Sequence, residues 1–149
     1  PGTAREIGRQ IGLWTETDTP DRLMTGVEFE QTPDAELLER ITQFNVSPKL
    51  PHSGNETART WKPDVLRRLA STEKAWFKFV VACEEDVKTA LRQASGADIP
   101  AERILLMPLA STRAELDAMR AQTVEWCLRY GLRFSDRLHI AIWDSKKGV

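Results

Sequence analysis

The sequence predicts an α/β protein with a mostly parallel sheet and helices outside it. Short segments rich in β-branched and aromatic residues alternate with longer segments of helical periodicity, which is typical of strands joined by helical crossovers. Hydrophobic residues make up 41% of the 149-residue chain and charged residues 29%, as in an ordinary globular domain. A chain of this length can bury a core, so we expect one domain over residues 1–149.

Five segments have the composition of strands. They are Val27–Glu30, Gln43–Val46, Phe77–Val81, Ile104–Met107 and Leu138–Trp143. Because the carboxyl ends of parallel strands meet at one edge of a sheet, where ligands bind in such folds, the residues directly after each strand are the candidate site.

Three helices are predicted between these strands. The clearest covers Thr112–Tyr130, where a Thr and the Glu three residues later form a capping box and Gly131 supplies the stop. A second covers Glu84–Gly96, and Pro63 pre-sets the first turn of a third.

Charge and cysteine content exclude several classes of protein. The formal net charge of −1 argues against a nucleic-acid partner, and no apolar run approaches the roughly 20 residues of a membrane span. Cys83 and Cys127 lie 44 residues apart without a neighbouring ligand, so we expect both to be buried structural thiols. Free thiols suit a reducing compartment, and the cytoplasm is the expected location.

The segment FNVSPKL, Phe44–Leu50, places polar groups directly after a strand. Ser47 offers a hydroxyl, Pro48 fixes the direction of the backbone, and Lys49 brings a cation to the same place. A ligand with a carboxylate would suit this turn. By itself, however, the pattern is more typical of a solvated turn.

Four blocks in order resemble the 7-carboxy-7-deazaguanine synthases. The blocks are NVSPKL with HSG after it, FKFVV followed by Asp86, ILLMPL, and RLHIAIWDSKKGV at the end of the chain. The resemblance covers about Val27–Val149 and implies a partial (β/α) barrel of the radical S-adenosylmethionine type. Family members use S-adenosylmethionine, a [4Fe–4S] cluster and Mg²⁺ to convert 6-carboxy-5,6,7,8-tetrahydropterin to 7-carboxy-7-deazaguanine, a step of queuosine and other 7-deazapurine biosynthesis.

The resemblance also implies site residues. S-adenosylmethionine would be bound by Ser47, Pro48, Lys49, Met107, Pro108, Leu109 and Ala110, and the pterin by Glu30 and Val149. Glu30 matches the family by position, although Gln31 follows it where the family has Thr, and it could instead be a plain carboxylate at the sheet edge. No residue is assigned a catalytic or metal-binding role.

The sequence departs from the family in one major respect. The Cys-x3-Cys-x2-Cys run that holds the cluster is missing, as is the Gly-Gly-Glu-Pro segment, so the chain corresponds to a C-terminal portion. It is then either a fragment of a full-length or split enzyme whose other portion carries the cluster, or a descendant that no longer catalyses, and alone it is not expected to cleave S-adenosylmethionine. We expect it to pair with itself or with the missing portion. A catalytically silent partner subunit or interaction module is the alternative, while an unrelated nucleotide-binding domain is disfavoured because no glycine-rich phosphate loop is present.

Overall fold

The computed structural model describes residues 35–51 and 61–146. In chain order the elements are helix α1 (Ala35–Arg40), strand β1 (Phe44–Val46), helix α2 (Pro63–Ala70), strand β2 (Ala75–Val81), helix α3 (Glu84–Gly96), a 3₁₀ turn (Ala101–Arg103), strand β3 (Ile104–Pro108), helix α4 (Arg113–Tyr130), strand β4 (Arg133–Phe134) and helix α5 (Leu138–Trp143). None of the helices in these two ranges is long and apolar enough to cross a lipid bilayer.

The four described strands form one sheet in the order β1-β2-β3-β4, and every neighbouring pair is parallel. Val46 lies opposite Phe77, Phe77 opposite Ile104, and Leu106 opposite Phe134. The α/β class and the parallel sheet are therefore confirmed. Four parallel strands joined through helices are consistent with part of a (β/α) barrel.

The two faces of the sheet differ in what covers them. Alternate residues of β2, from Ala75 to Val81, are buried, and Phe77 and Phe79 are fully so. This face packs against the helices in one core. The helical contributions to that core are Leu38, Val65, Leu66, Leu69, Val87, Ala90, Ala94, Trp126 and Cys127. The other face, called the second face below, carries the alternate residues Asn45, Trp76, Lys78, Val80, Leu105, Met107 and Arg133.

Helix α4 begins and ends as its sequence predicts. The Thr112 hydroxyl accepts a hydrogen bond from the backbone N–H of Glu115 at 3.3 Å, and the Glu115 carboxylate accepts from the N–H groups of Ser111 and Thr112. At the other end Gly131 has a φ of 67°, the left-handed conformation of a helix stop. The predicted helix at Glu84–Gly96 and the helix start at Pro63 are confirmed as well.

One predicted strand is wrong. Leu138–Trp143 is a helix, and the last strand of the described sheet is Arg133–Phe134. The helix is held by α4, because the backbone N–H of Arg113 donates to an Asp144 carboxylate oxygen at 2.7 Å and the Arg113 guanidinium donates to the carbonyl of Ile142 at 3.0 Å. Period-two apolar alternation over six residues also fits a short helix with one buried residue, so these contacts decide the outcome.

The prediction for the two cysteines is half right. Cys127 is buried, its thiol donates to the carbonyl of Arg133 at 3.3 Å, and burial raises the pKa of that thiol. Cys83 is exposed, so the expectation that it is buried is wrong. It lies in the turn that follows β2 and begins α3, where the backbone has left the core. The predicted strand Val27–Glu30 lies outside the described residues.

Candidate functional site

Ser47 to Lys49 form a turn that follows β1 directly, at the carboxyl end of that strand. The Ser47 hydroxyl donates to the backbone carbonyl of Lys78 in β2 at 3.2 Å. Pro48 and Leu50 are buried, while the side chains of Ser47 and Lys49 are exposed. The turn is therefore fixed to the sheet at Ser47 and Leu50, and it leaves the Lys49 ammonium in solvent.

The corresponding segment at the carboxyl end of β3 runs from Met107 to Ala110. Met107 and Pro108 are the last two residues of the strand, and Leu109 and Ala110 begin the turn after it. The backbone N–H of Leu109 donates to the carbonyl of Val81 at 2.9 Å, which joins this turn to the end of β2. Met107, Pro108 and Ala110 are buried, whereas Leu109 is 44% exposed. This second turn is thus tied to the end of β2 and presents the apolar side chain of Leu109 to solvent.

The register of the strands brings the two turns to the same edge. Ser47 is level with Lys78, which pairs with Leu105, so Ser47 lies two residues below Met107. With about 3.3 Å per residue and about 4.8 Å between strands, the two turns are separated by about 7 Å along the strands and about 10 Å across them. A ligand that contacts both turns crosses the end of β2.

The carboxyl-terminal segment starts from this same edge. Ile140 of α5 packs against Ala110 and against Leu116 of α4 in a small buried cluster. The turn after β3 and the helix that precedes the tail are therefore in direct contact. Glu30 and Val149, the two residues predicted to bind the pterin, lie outside the described residues and remain predictions.

An ion pair fixes the connection between β4 and α5. The Arg120 guanidinium donates from Nη2 to Oδ2 of Asp136 at 2.9 Å and from Nε to both oxygens at 3.2 Å. The hydrogen bonds from Arg120 lower the pKa of the Asp136 carboxyl and raise the pKa of the guanidinium. The next residue, Arg137, has a buried Nε with no hydrogen-bond partner among the residues of the two described ranges.

Two cations at this site were missed by the sequence reasoning. Lys78 lies in the FKFVV block, where its place between two core phenylalanines could have marked it as a cation on the second face. Arg137 follows a strand of two residues, which is too short to be recognised from periodicity.

The two turns offer groups that fit a nucleoside with an amino-acid tail. They combine an exposed cation and a hydroxyl at Ser47 to Lys49 with an apolar surface at Met107 to Ala110. An iron–sulfur cluster does not fit in the same way, because the sequence has two cysteines, one exposed and one buried. Within residues 35–51 and 61–146, no group of three His, Cys, Asp or Glu side chains could hold a metal ion.

A parallel sheet with a polar turn and an apolar turn at its carboxyl edge is the arrangement in which α/β proteins bind small molecules. Comparison with known proteins relates the chain to one family. The chain is 34% identical over 131 residues to a 7-carboxy-7-deazaguanine synthase of Pyrobaculum aerophilum, an alignment that covers 85% of this chain and 56% of the relative. Over 85 residues it is 34% identical to the synthase of Halobacterium salinarum, covering 53% of this chain and 33% of that protein.

A third relative, the 7-carboxy-7-deazaguanine synthase of Hyperthermus butylicus, is 32% identical over 75 residues, which are 48% of this chain and 32% of that protein. The resemblance seen in the motifs is thereby confirmed, and the chain is a relative of the 7-carboxy-7-deazaguanine synthases. It spans about half the length of the Pyrobaculum relative and about a third of the other two. No protein-family model and no solved structure matches the chain.

Proposed function

We propose that this chain forms the part of a 7-carboxy-7-deazaguanine synthase that binds S-adenosylmethionine and the pterin. The reaction is the conversion of 6-carboxy-5,6,7,8-tetrahydropterin to 7-carboxy-7-deazaguanine in queuosine and 7-deazapurine biosynthesis, a carbon–nitrogen lyase reaction. The observation that carries the proposal is that the Ser47 and Met107 turns lie at the same edge of the sheet. The chain that has this arrangement is a relative of these enzymes.

In this proposal the turn after β1 binds the polar end of S-adenosylmethionine. Lys49 offers a cation for the carboxylate of S-adenosylmethionine. Ser47 offers a hydroxyl, which in the absence of a ligand donates to the backbone carbonyl of Lys78. The turn from Met107 to Ala110 packs on the nucleoside through its apolar surface. Glu30 and Val149 bind the pterin.

When bound to a [4Fe–4S] cluster, S-adenosylmethionine supplies the radical that starts this chemistry. The two cysteines of this chain are too few to hold such a cluster, so its ligands come, in this proposal, from a separate cysteine-bearing portion. Turnover therefore requires both portions, and Mg²⁺ is expected to act with them. Thiolate-ligated clusters suit a reducing environment, and we place the activity in the cytoplasm.

In the alternative, the chain is a catalytically silent subunit that pairs with a partner or with a second copy. The two functions differ in one observable, which is turnover after association.

Co-expression with the unmatched part of the Pyrobaculum aerophilum relative tests the proposal. After anaerobic reconstitution with iron and sulfide, we expect consumption of 6-carboxytetrahydropterin and release of 5′-deoxyadenosine only when both portions are present. Lys49→Met is expected to lower this turnover roughly tenfold or more, since it removes a charge-assisted bond. Lys88→Met, on the exposed side of α3, is the control and should leave turnover unchanged.

Two other outcomes are informative. A stable complex that shows no turnover supports the silent subunit. Binding of S-adenosylmethionine to the chain alone, measured by equilibrium dialysis, does not depend on whether the two portions assemble. Absence of such binding contradicts the proposed function.

A further inference from the structure

Lys78 occupies an unusual position for a lysine. It lies in β2, an interior strand of the described sheet, on the second face between Trp76 and Val80, and its side chain is only partly exposed. Its partner in the neighbouring strand β3 is Leu105. Burying an ammonium among such neighbours costs free energy unless an opposite charge or hydrogen-bond acceptors compensate.

The described part of the chain offers Lys78 no such compensation. No carboxylate or acceptor of residues 35–51 and 61–146 contacts its ammonium, although its backbone carbonyl accepts from Ser47. Four cations elsewhere in the described residues are paired. Arg67, Arg120 and Arg129 contact carboxylates, and the ammonium of Lys74 donates to the carbonyls of Leu38 and Glu39.

The second face is positively charged around Lys78. Its residues, as defined above, include two cations and no carboxylate. The second cation, Arg133, is already engaged, because its Nε donates to the carbonyl of Glu102 at 2.9 Å and its guanidinium lies 5.0 Å from the centre of the Trp76 ring. Of these two cations, Lys78 is therefore the one whose charged group has no partner in the described residues and can bind an anion.

Lys78 also lies beside the candidate site. The hydrogen bond from Ser47 joins the turn after β1 to the Lys78 backbone, and Val80, two residues further, lies opposite Met107. The flexible four-carbon stem of a lysine can carry its ammonium along the sheet toward this edge.

We propose that Lys78 binds the carboxylate of a small molecule held at the carboxyl edge, either the methionyl carboxylate of S-adenosylmethionine or the carboxylate of the pterin. The inference rests on the proposed function and deepens it. Lys78 acts from the surface of the sheet and Lys49 from the exposed turn.

The test compares ligands that differ by one carboxylate. Dissociation constants are measured for S-adenosylmethionine and decarboxylated S-adenosylmethionine, and for 6-carboxytetrahydropterin and 6-methyltetrahydropterin. The proteins are the unaltered chain, Lys78→Met, Lys78→Arg and the control Lys88→Met. Thermal unfolding followed by circular dichroism verifies that each variant folds.

We expect Lys78→Met to weaken binding of the carboxylated member of one pair by roughly tenfold or more and to leave its partner unchanged. Lys78→Arg should restore part of the loss, because it keeps the charge, and Lys88→Met should have no effect. The affected pair identifies which carboxylate Lys78 binds.

The proposal is overturned if Lys78→Met weakens both members of a pair equally, or neither. It is also overturned if the variant loses only its association with the cysteine-bearing portion, because Lys78 would then pair with a protein carboxylate. If the unaltered chain binds none of the four compounds, the proposed function fails as well. That result differs from the other two, in which the unaltered chain still binds a ligand and only the effect of Lys78→Met is not the expected one.

Discussion

The two cysteine side chains differ in their access to solvent. Cys83 is exposed at the start of α3, whereas Cys127 is buried and its pKa is raised by desolvation. We predict that one thiol per chain reacts within minutes with a disulfide reagent such as DTNB under native conditions, and that both react in denaturant. Cys83→Ser should abolish the fast reaction and keep the slow one. Two fast thiols in the native protein would contradict the packing of α4 against β4.

Asp136 contributes to stability through Arg120. Because the two side chains are 34% and 32% exposed, we expect Asp136→Asn to lower the free energy of unfolding by about 1 kcal/mol or less at neutral pH. The variant Asp117→Asn, which changes a more exposed partner of the same guanidinium, should have a smaller effect. Urea unfolding measures both differences.

The pH dependence of this contribution follows from the direction of the pKa shift. The pKa of Asp136 is lowered in the folded state, so its stabilisation is fully present above the unfolded value of about 4 and is lost as the pH falls below it. The difference between the unaltered protein and Asp136→Asn should therefore shrink below about pH 4. A difference that grows on acidification would mean that the pair does not stabilise the fold.

The site residues could be predicted in part. Ser47 to Lys49 and Met107 to Ala110 follow strands whose apolar composition is clear, so their place at the carboxyl edge could be inferred from order alone. Lys78 and Arg137 could not be assigned in this way. Their importance depends on which groups lack partners in three dimensions, and sequence spacing does not encode that.

Gly131 ends helix α4, and Gly96 at the end of α3 provides a control for testing its role. A Cβ at Gly131 or at Gly96 would meet no atom within 4 Å, but Gly131 has a φ of 67°. Gly131→Ala should therefore destabilise the protein by about 1 kcal/mol through backbone strain. Gly96→Ala should be neutral or stabilising by up to about 1 kcal/mol. Equal effects in urea unfolding would show that the α4 stop does not depend on the left-handed residue.

Elements with strong local signals were predicted well. Helix α4 has a capping box and a glycine stop, and β2 and β3 are apolar runs between turn residues, so local sequence determines them. Helix α5 was predicted as a strand because Leu138–Trp143 has no cap and is decided by contacts with Arg113 and Ala110. Strand β4 has two residues and exists through its pairing with β3.

In the described residues a parallel sheet packs its helices on one face and carries a polar turn and an apolar turn at its carboxyl edge. In the proposed function, that edge binds S-adenosylmethionine and a cysteine-bearing portion completes the enzyme for catalysis. The family, the class of fold and the order of the strands agree with this view.

Amide hydrogen exchange of the chain with and without S-adenosylmethionine tests this claim most directly. We predict that the ligand slows exchange at residues 47–50 and 107–112, and that α2 and the outer side of α3 are unchanged. Protection confined to the helices, or no protection at a concentration where dialysis detects binding, would contradict a binding surface at the carboxyl edge of the sheet.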